Sequence, residues 1–140
     1  MAGYSGTPLP KKLGIKPGHR VLLVHAPAGF AELLQPLPDD VALTARLAGT
    51  SRCDVIVLFA RHAAELTRAL PECRARLSET GGLWVAWPKK SAGVPTDLGE
   101  NPVRAVGLAA GLVDNKVCAI DETWSGLRVV WRKELRDSRK

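Results

Sequence analysis

Few side chains in this sequence are both chemically competent and placed together. His25 follows the apolar run VLLV of residues 21–24, and an imidazole titrating near neutral pH can serve as acid or base. Lys89 and Lys90 follow a second apolar run, LWVAW at residues 83–87, with Ser91, Thr96 and Asp97 close behind. Two ammonium groups beside hydroxyls are suited to holding an anion. Trp124 stands among Asp121, Glu122 and Ser125, where an indole left in water is costly unless it packs on the domain, a partner or a second copy. Nucleophilic catalysis has no evident carrier, because none of the serines lies in a G-x-S-x-G turn. A G-x-x-x-x-G-K-[ST] phosphate loop is also missing. Cys53, Cys73 and Cys118 are widely spaced and, with His19, His25 and His62, give no metal-ligand spacing, so no metal is expected.

The elements that would position these groups are organised around residues 13–30, LGIKPGHRVLLVHAPAGF. Lys16-Pro17-Gly18 marks a turn, the following run reads as a strand buried on both faces, and Ala26-Pro27-Ala28-Gly29 turns into a short helix stopped by Pro36 and Pro38. Strand, glycine-containing turn and helix form the unit that nucleotide-binding α/β domains use to hold a ligand at the carboxyl edge of the sheet. That rule brings His25, Pro27, Gly29 and Phe30 to the same edge as Lys89, Lys90 and Asp97, the candidate ligand-binding set. The N–H groups near Phe30 would add donors there. The bond before Pro88 joins an aromatic to a proline, the setting in which a cis peptide occurs most readily.

Further strands are expected at 41–47, 55–59, 83–87, 116–120 and 127–132. Residues 48–54 are too few for a crossover helix. A helix is expected over 62–78, kinked or divided at Pro71, with Gly81-Gly82 ending it. Another should run from Asn101-Pro102 to about Leu112, with Asp114, Asn115 and Lys116 capping its end. Thr7-Pro8 opens a helical turn that Gly14 closes. These elements predict one α/β domain of six strands. Residues 1–12 form an arm, 13–133 the domain and 134–140 a charged tail.

Composition supports one domain with a real core: 140 residues, 46% of them hydrophobic. The formal charge of +6 is concentrated at the ends, in Lys11, Lys12, Lys16 and Arg20 and in Arg132, Lys133, Arg136, Arg139 and Lys140. Basic ends give at most weak, non-specific attraction for nucleic acid. No apolar run reaches membrane-spanning length, and unpaired cysteines suit the cytoplasm.

The stretch 13–30 resembles the first motif of class I S-adenosylmethionine-dependent methyltransferases. In that family a strand ends in an acid and a G-x-G-x-G loop follows. Laid on the pattern, Leu23 stands at the acid, His25 and Pro27 replace two glycines, and Gly29 remains. Arg46 stands where the second strand would supply a ribose-binding acid. Residues 54–60 (DVIVLFA), the stretch 81–90 (GGLWVAWPKK) and the C-terminal strand pair are similar to the family's middle and end. The layout therefore resembles a degenerate methyltransferase over 13–133, which implies a Rossmann-like three-layer sandwich around a six-stranded mixed sheet of order 2-1-3-4-6-5 with strand 6 antiparallel. The motifs AGYSGTPL-x-KKLGI, GGLWVAWPKK and LVDNKVCAIDETWS further resemble a group of small bacterial proteins, common in actinobacteria, that form a domain of unknown function. Together these imply a non-catalytic binding or regulatory protein that takes a small anion or a partner's acidic segment at the carboxyl edge. A methyltransferase with an atypical S-adenosylmethionine site is the alternative, and a weak polyanion-binding module the third reading. No cofactor is expected under the first.

Overall fold

The computed structural model describes residues 7–45 and 51–133. Its centre is a six-stranded sheet of order β2-β1-β3-β4-β6-β5. β1 (Arg20–Val24), β2 (Ala42–Thr44), β3 (Cys53–Phe59) and β4 (Leu77–Pro88) run parallel, and β6 (Trp124–Trp131) runs antiparallel to both β4 and β5 (Leu112–Ala119). The order and the reversed last strand match the expectation from sequence. The end of the second strand, with Arg46 and Leu47, lies outside the described residues, as does most of the connection to β3.

The sheet is buried on both faces, which is why its strands read as unbroken apolar runs. Side chains alternate, so Leu22, Ile56, Leu58 and Val85 enter one core with Leu66, Leu70 and Cys73 of α3 (Ala63–Arg76) and Val103 of α4 (Glu100–Ala109). Val21, Leu23, Val55, Val57 and Trp84 enter the other, against Leu13 of α1 (Leu9–Leu13), Ile15, and Phe30 of α2 (Phe30–Leu33). That second layer is thin, since its helices have five and four residues. Aromatic packing does much of the sealing. Phe30 meets Phe59 edge-on at 4.8 Å between ring centroids, and Phe59 meets Trp124 at 5.0 Å. Trp84 has no exposed surface, and its indole Nε1–H donates to the Leu13 carbonyl at 3.0 Å.

Several boundaries differ from the sequence reading. Gly81 and Gly82 end no helix: α3 stops at Arg76 and β4 starts at Leu77, with both glycines inside the strand. Close approach explains them, because a Cβ on Gly81 would stand 2.7 Å from the Asp54 carbonyl oxygen, and one on Gly82 would run into the Arg128 guanidinium. Pro71 does not divide α3; it sits exposed within one continuous helix, where water can satisfy the carbonyl it frees. The cap of α4 is Gly99, one residue before Glu100, and the Asn101 side chain accepts a bond from Arg104 instead. Leu112 already belongs to β5, and the cis proline bond is Gln35–Pro36.

Two tests follow. Trp84→Phe keeps an aromatic ring but strands the Leu13 carbonyl and leaves a void, so urea unfolding should show a loss of about 2 kcal/mol or more. Cys73 supplies the second. Burial pushes its thiol up to about 12 from 9.0, so the folded state keeps the neutral form. The stability tied to that preference is complete below the unfolded-state value and drains away as pH climbs toward 12. Cys73→Ala should therefore flatten the fall of stability across this alkaline window relative to the parent protein.

Candidate functional site

At the carboxyl edge, β1 ends at Val24 and His25 follows, exposed and in the left-handed region at φ 58°. Gly29, at φ 86°, turns the chain into α2. The Phe30 N–H, which sequence reasoning offered to a ligand, donates to the Pro27 carbonyl at 3.1 Å, and the Phe30 ring is 1% exposed. Phe30 is thus a core residue. Nor do Lys89 and Lys90 lie beside this turn. β3 runs between β1 and β4, so the strand ends that lead into the two groups are not neighbours and stand roughly 10 Å apart at ordinary strand spacing. The Lys89 N–H donates to the Thr123 carbonyl at 2.8 Å, and exposed Lys90 opens a single 3-10 turn, Lys90–Ala92.

The ground between them belongs to the start of α3. Glu65 Oε1 accepts the N–H groups of Arg61 at 2.9 Å and His62 at 3.1 Å, and Asp97 Oδ1 accepts that of Ala63 at 2.7 Å. The bond from Arg61, then the one from His62, hold the Glu65 carboxyl below its ordinary range, with smaller help from the His62 and His25 charges. Thr96 Oγ1 donates to the Arg61 carbonyl, fixing the loop that carries Asp97. The donors an incoming anion would use at this helix start already hold the protein's own carboxylates. Asp97 caps a helix in this arrangement.

Trp124 is 7% exposed, packed on Phe59 inside the domain, so its indole offers little to a partner. The hydrogen bonds from the Thr123 and Trp124 N–H groups to Asp121 Oδ1, each 2.8 Å, turn the chain and send the ring inward. Asp114, Asn115 and Lys116 cap no helix. They lie in β5 at a bulge, where Asp114 faces Val129 and Lys116 faces Arg128. The extra residue sends Asp114 to the α4 side, where it bonds Arg104 at 3.0 Å, and turns Lys116 to the other face.

That face opens at the amino edge of the sheet, on a cavity of about 500 Å³. Lys11, Lys12 and Lys16 of the N-terminal segment reach it from above, and Lys116 and Arg128 from the sheet. Lys12 Nζ donates to the Ala119 carbonyl at 2.7 Å, which closes α1 over the β5 end. Asp54 also lines it, its Oδ2 accepting the Arg20 N–H at 2.8 Å. Sequence reading assigned the three arm lysines to a solvated basic end. The signal for a site was their apolar interleaving with Leu9, Leu13 and Ile15, which pins the segment to the domain.

Among the described residues, no three His, Cys, Asp or Glu side chains are grouped to hold a metal, and no helix is long and apolar enough to cross a membrane. Burial raises the thiols of Cys53, Cys73 and Cys118 alike, the opposite of an activated nucleophile.

Comparison with known proteins bears out the architecture. A ribosomal protein methylase from Lactobacillus delbrueckii subsp. bulgaricus superposes with a TM-score of 0.62 at 14% identity, over 89% of this chain and 75% of that one. The N-methyltransferase NodS from Bradyrhizobium japonicum gives 0.59 at 14%, over 90% and 98%. A SAM-dependent methyltransferase from Aquifex aeolicus gives 0.55 at 17%, over 85% of each. At such identities the likeness is one of fold. No functionally curated protein matches the sequence closely enough to count as a relative. The family described as "Protein of unknown function (DUF3052)" matches residues 40–133, and the chain belongs to that family.

Proposed function

We propose that this chain is a non-catalytic binding or regulatory protein on a methyltransferase-like sheet, acting through an anionic small molecule or an acidic partner segment. S-adenosylmethionine has no part in this reading, and the turn after β1 is the observation that supports it. Leu23, at the position where the resemblance calls for an acid, is buried at 4% exposure and has no oxygen to offer a ribose or an ammonium group. Pro27 lacks an N–H, the Phe30 N–H is engaged by the Pro27 carbonyl, and His25 carries a side chain where the motif has glycine. The residues present do not fit the cofactor. Free, unpaired cysteines suit a reducing cytoplasm.

What remains at the carboxyl edge for an anion is Lys89, Lys90 and Arg61, set around carboxylates that already cap α3. Such a surface suits an exposed contact with a partner better than an enclosed reaction.

Calorimetric titration with S-adenosylmethionine and S-adenosylhomocysteine should give no binding tighter than about millimolar, or about 4 kcal/mol. A micromolar isotherm for either would overturn the reading and make the chain a methyltransferase with an atypical site.

A further inference from the structure

The carboxyl edge is where sheets of this type are expected to bind, yet five basic side chains converge at the opposite edge. Arg128 and Lys116 stand directly across from each other on β6 and β5, a like-charge pair that opposes the pairing of the strands. Neither makes an ion pair or side-chain hydrogen bond among the described residues. Arg128 is half-buried, and its guanidinium lies over Gly82, the residue whose missing side chain leaves room for it. Desolvation lowers its affinity for the proton, with no carboxylate in place to offset the effect. Lys11, Lys12 and Lys16 add positive charge from the segment above, against the single carboxylate of Asp54 in the wall. Among the described residues, the cationic groups lining this cavity outnumber its carboxylates.

We propose that the amino-edge cavity is a binding site for a small molecule carrying two or more phosphate groups, gripped by Lys116 and Arg128 below and by Lys11, Lys12 and Lys16 above. A guanidinium and several ammonium groups converging on one recess match clustered phosphate oxygens, which they can engage through charge-assisted bonds. The volume of about 500 Å³ suits a compact ligand. It also argues against a nucleic-acid strand, which tracks along an open groove and stacks its bases on aromatic rings. Among the described residues, the lining contains no phenylalanine, tyrosine or tryptophan and one imidazole, His19, so its basic groups favour recognition of the phosphates over that of a base. Thr80 and Asn115 supply neutral polar groups at the rim. The site stands on residues remote from the carboxyl edge, so the fate of the S-adenosylmethionine titration leaves it untouched.

The test uses the full chain with inorganic orthophosphate, pyrophosphate and tripolyphosphate as probes, at about 0.15 M salt to suppress diffuse attraction. Calorimetry and melting temperature should rank tripolyphosphate above pyrophosphate above orthophosphate. Lys116→Gln and Arg128→Gln should each weaken tripolyphosphate binding about tenfold or more, and Arg128→Lys should restore part of it. Without ligand, Lys116→Gln should melt at a higher temperature than the parent, since it relieves repulsion; a merely structural lysine would not. The double variant Arg68→Gln/Lys133→Gln, which removes two exposed charges outside the cavity, should change binding less than about twofold, well short of the tenfold that a lost charge-assisted bond brings. Equal losses in the two sets would mean a diffuse field and overturn the site, as would no binding at all. Tighter capture of a short single-stranded oligonucleotide than of tripolyphosphate, lost in the same variants, would overturn the assignment to a small ligand.

Discussion

The hydrogen bond from the Trp84 indole to the Leu13 carbonyl ties the thin side of this molecule together. Helices α3 and α4 cover one face of the sheet with long amphipathic surfaces, but among the described residues the other face has two very short helices. Helices of that length have no stability of their own in water. They persist because their apolar residues are clamped onto the sheet, and Trp84, on the central strand β4, is the largest fully buried side chain in that cluster. A buried carbonyl without a donor is costly, so the indole fixes where the chain leaves α1 as well as how it packs. Gly14, left-handed at φ 80°, then bends the chain toward Ile15 and Lys16. The same clamp thus decides where three lysines end up.

The two edges of the sheet have been treated differently by the sequence. At the carboxyl edge, carboxylates from within the chain occupy the backbone donors at the start of α3, and the turn after β1 engages its own N–H. The backbone donors there are largely satisfied. At the amino edge a half-buried guanidinium faces an ammonium group, and the acids that could neutralise them are directed elsewhere: Asp114 to Arg104 and Asp54 to the Arg20 backbone. Local departures from self-consistency of this kind are where function is expected in a folded protein. The likeness to methyltransferases describes the scaffold; the site must be argued from its own residues.

Much of the scaffold was legible in the sequence. Unbroken apolar runs marked strands buried on both faces, and the spacing of Leu66, Leu70 and Cys73 marked α3, although Leu77, which continues that spacing, already belongs to β4. Boundaries were lost where a residue's usual meaning was displaced by tertiary contact. Gly81 and Gly82 looked like a helix end, yet they admit a neighbouring backbone and a guanidinium. Trp124 looked exposed because the turn before it is polar, although β6 starts at that residue and directs it inward. The amino-edge cavity was illegible for a different reason. Lys12 meets the carbonyl of Ala119 across 107 positions of sequence, and the bulge that turns Lys116 toward Arg128 leaves no local signature. Counting charge along the chain assigned the arm lysines to a tail, when the fold brings them to a wall.

The central claim is that small-anion recognition lies at the amino edge of a methyltransferase-like sheet, the carboxyl edge being left to an exposed partner contact. The most direct measurement is an amide-resolved nuclear magnetic resonance titration of the intact protein with tripolyphosphate. The account predicts saturable shifts at Lys11 to Lys16, Thr80, Asn115, Lys116 and Arg128, with His25 to Phe30 unmoved. Shifts concentrated at His25 to Phe30 and at Lys89 and Lys90 would contradict it.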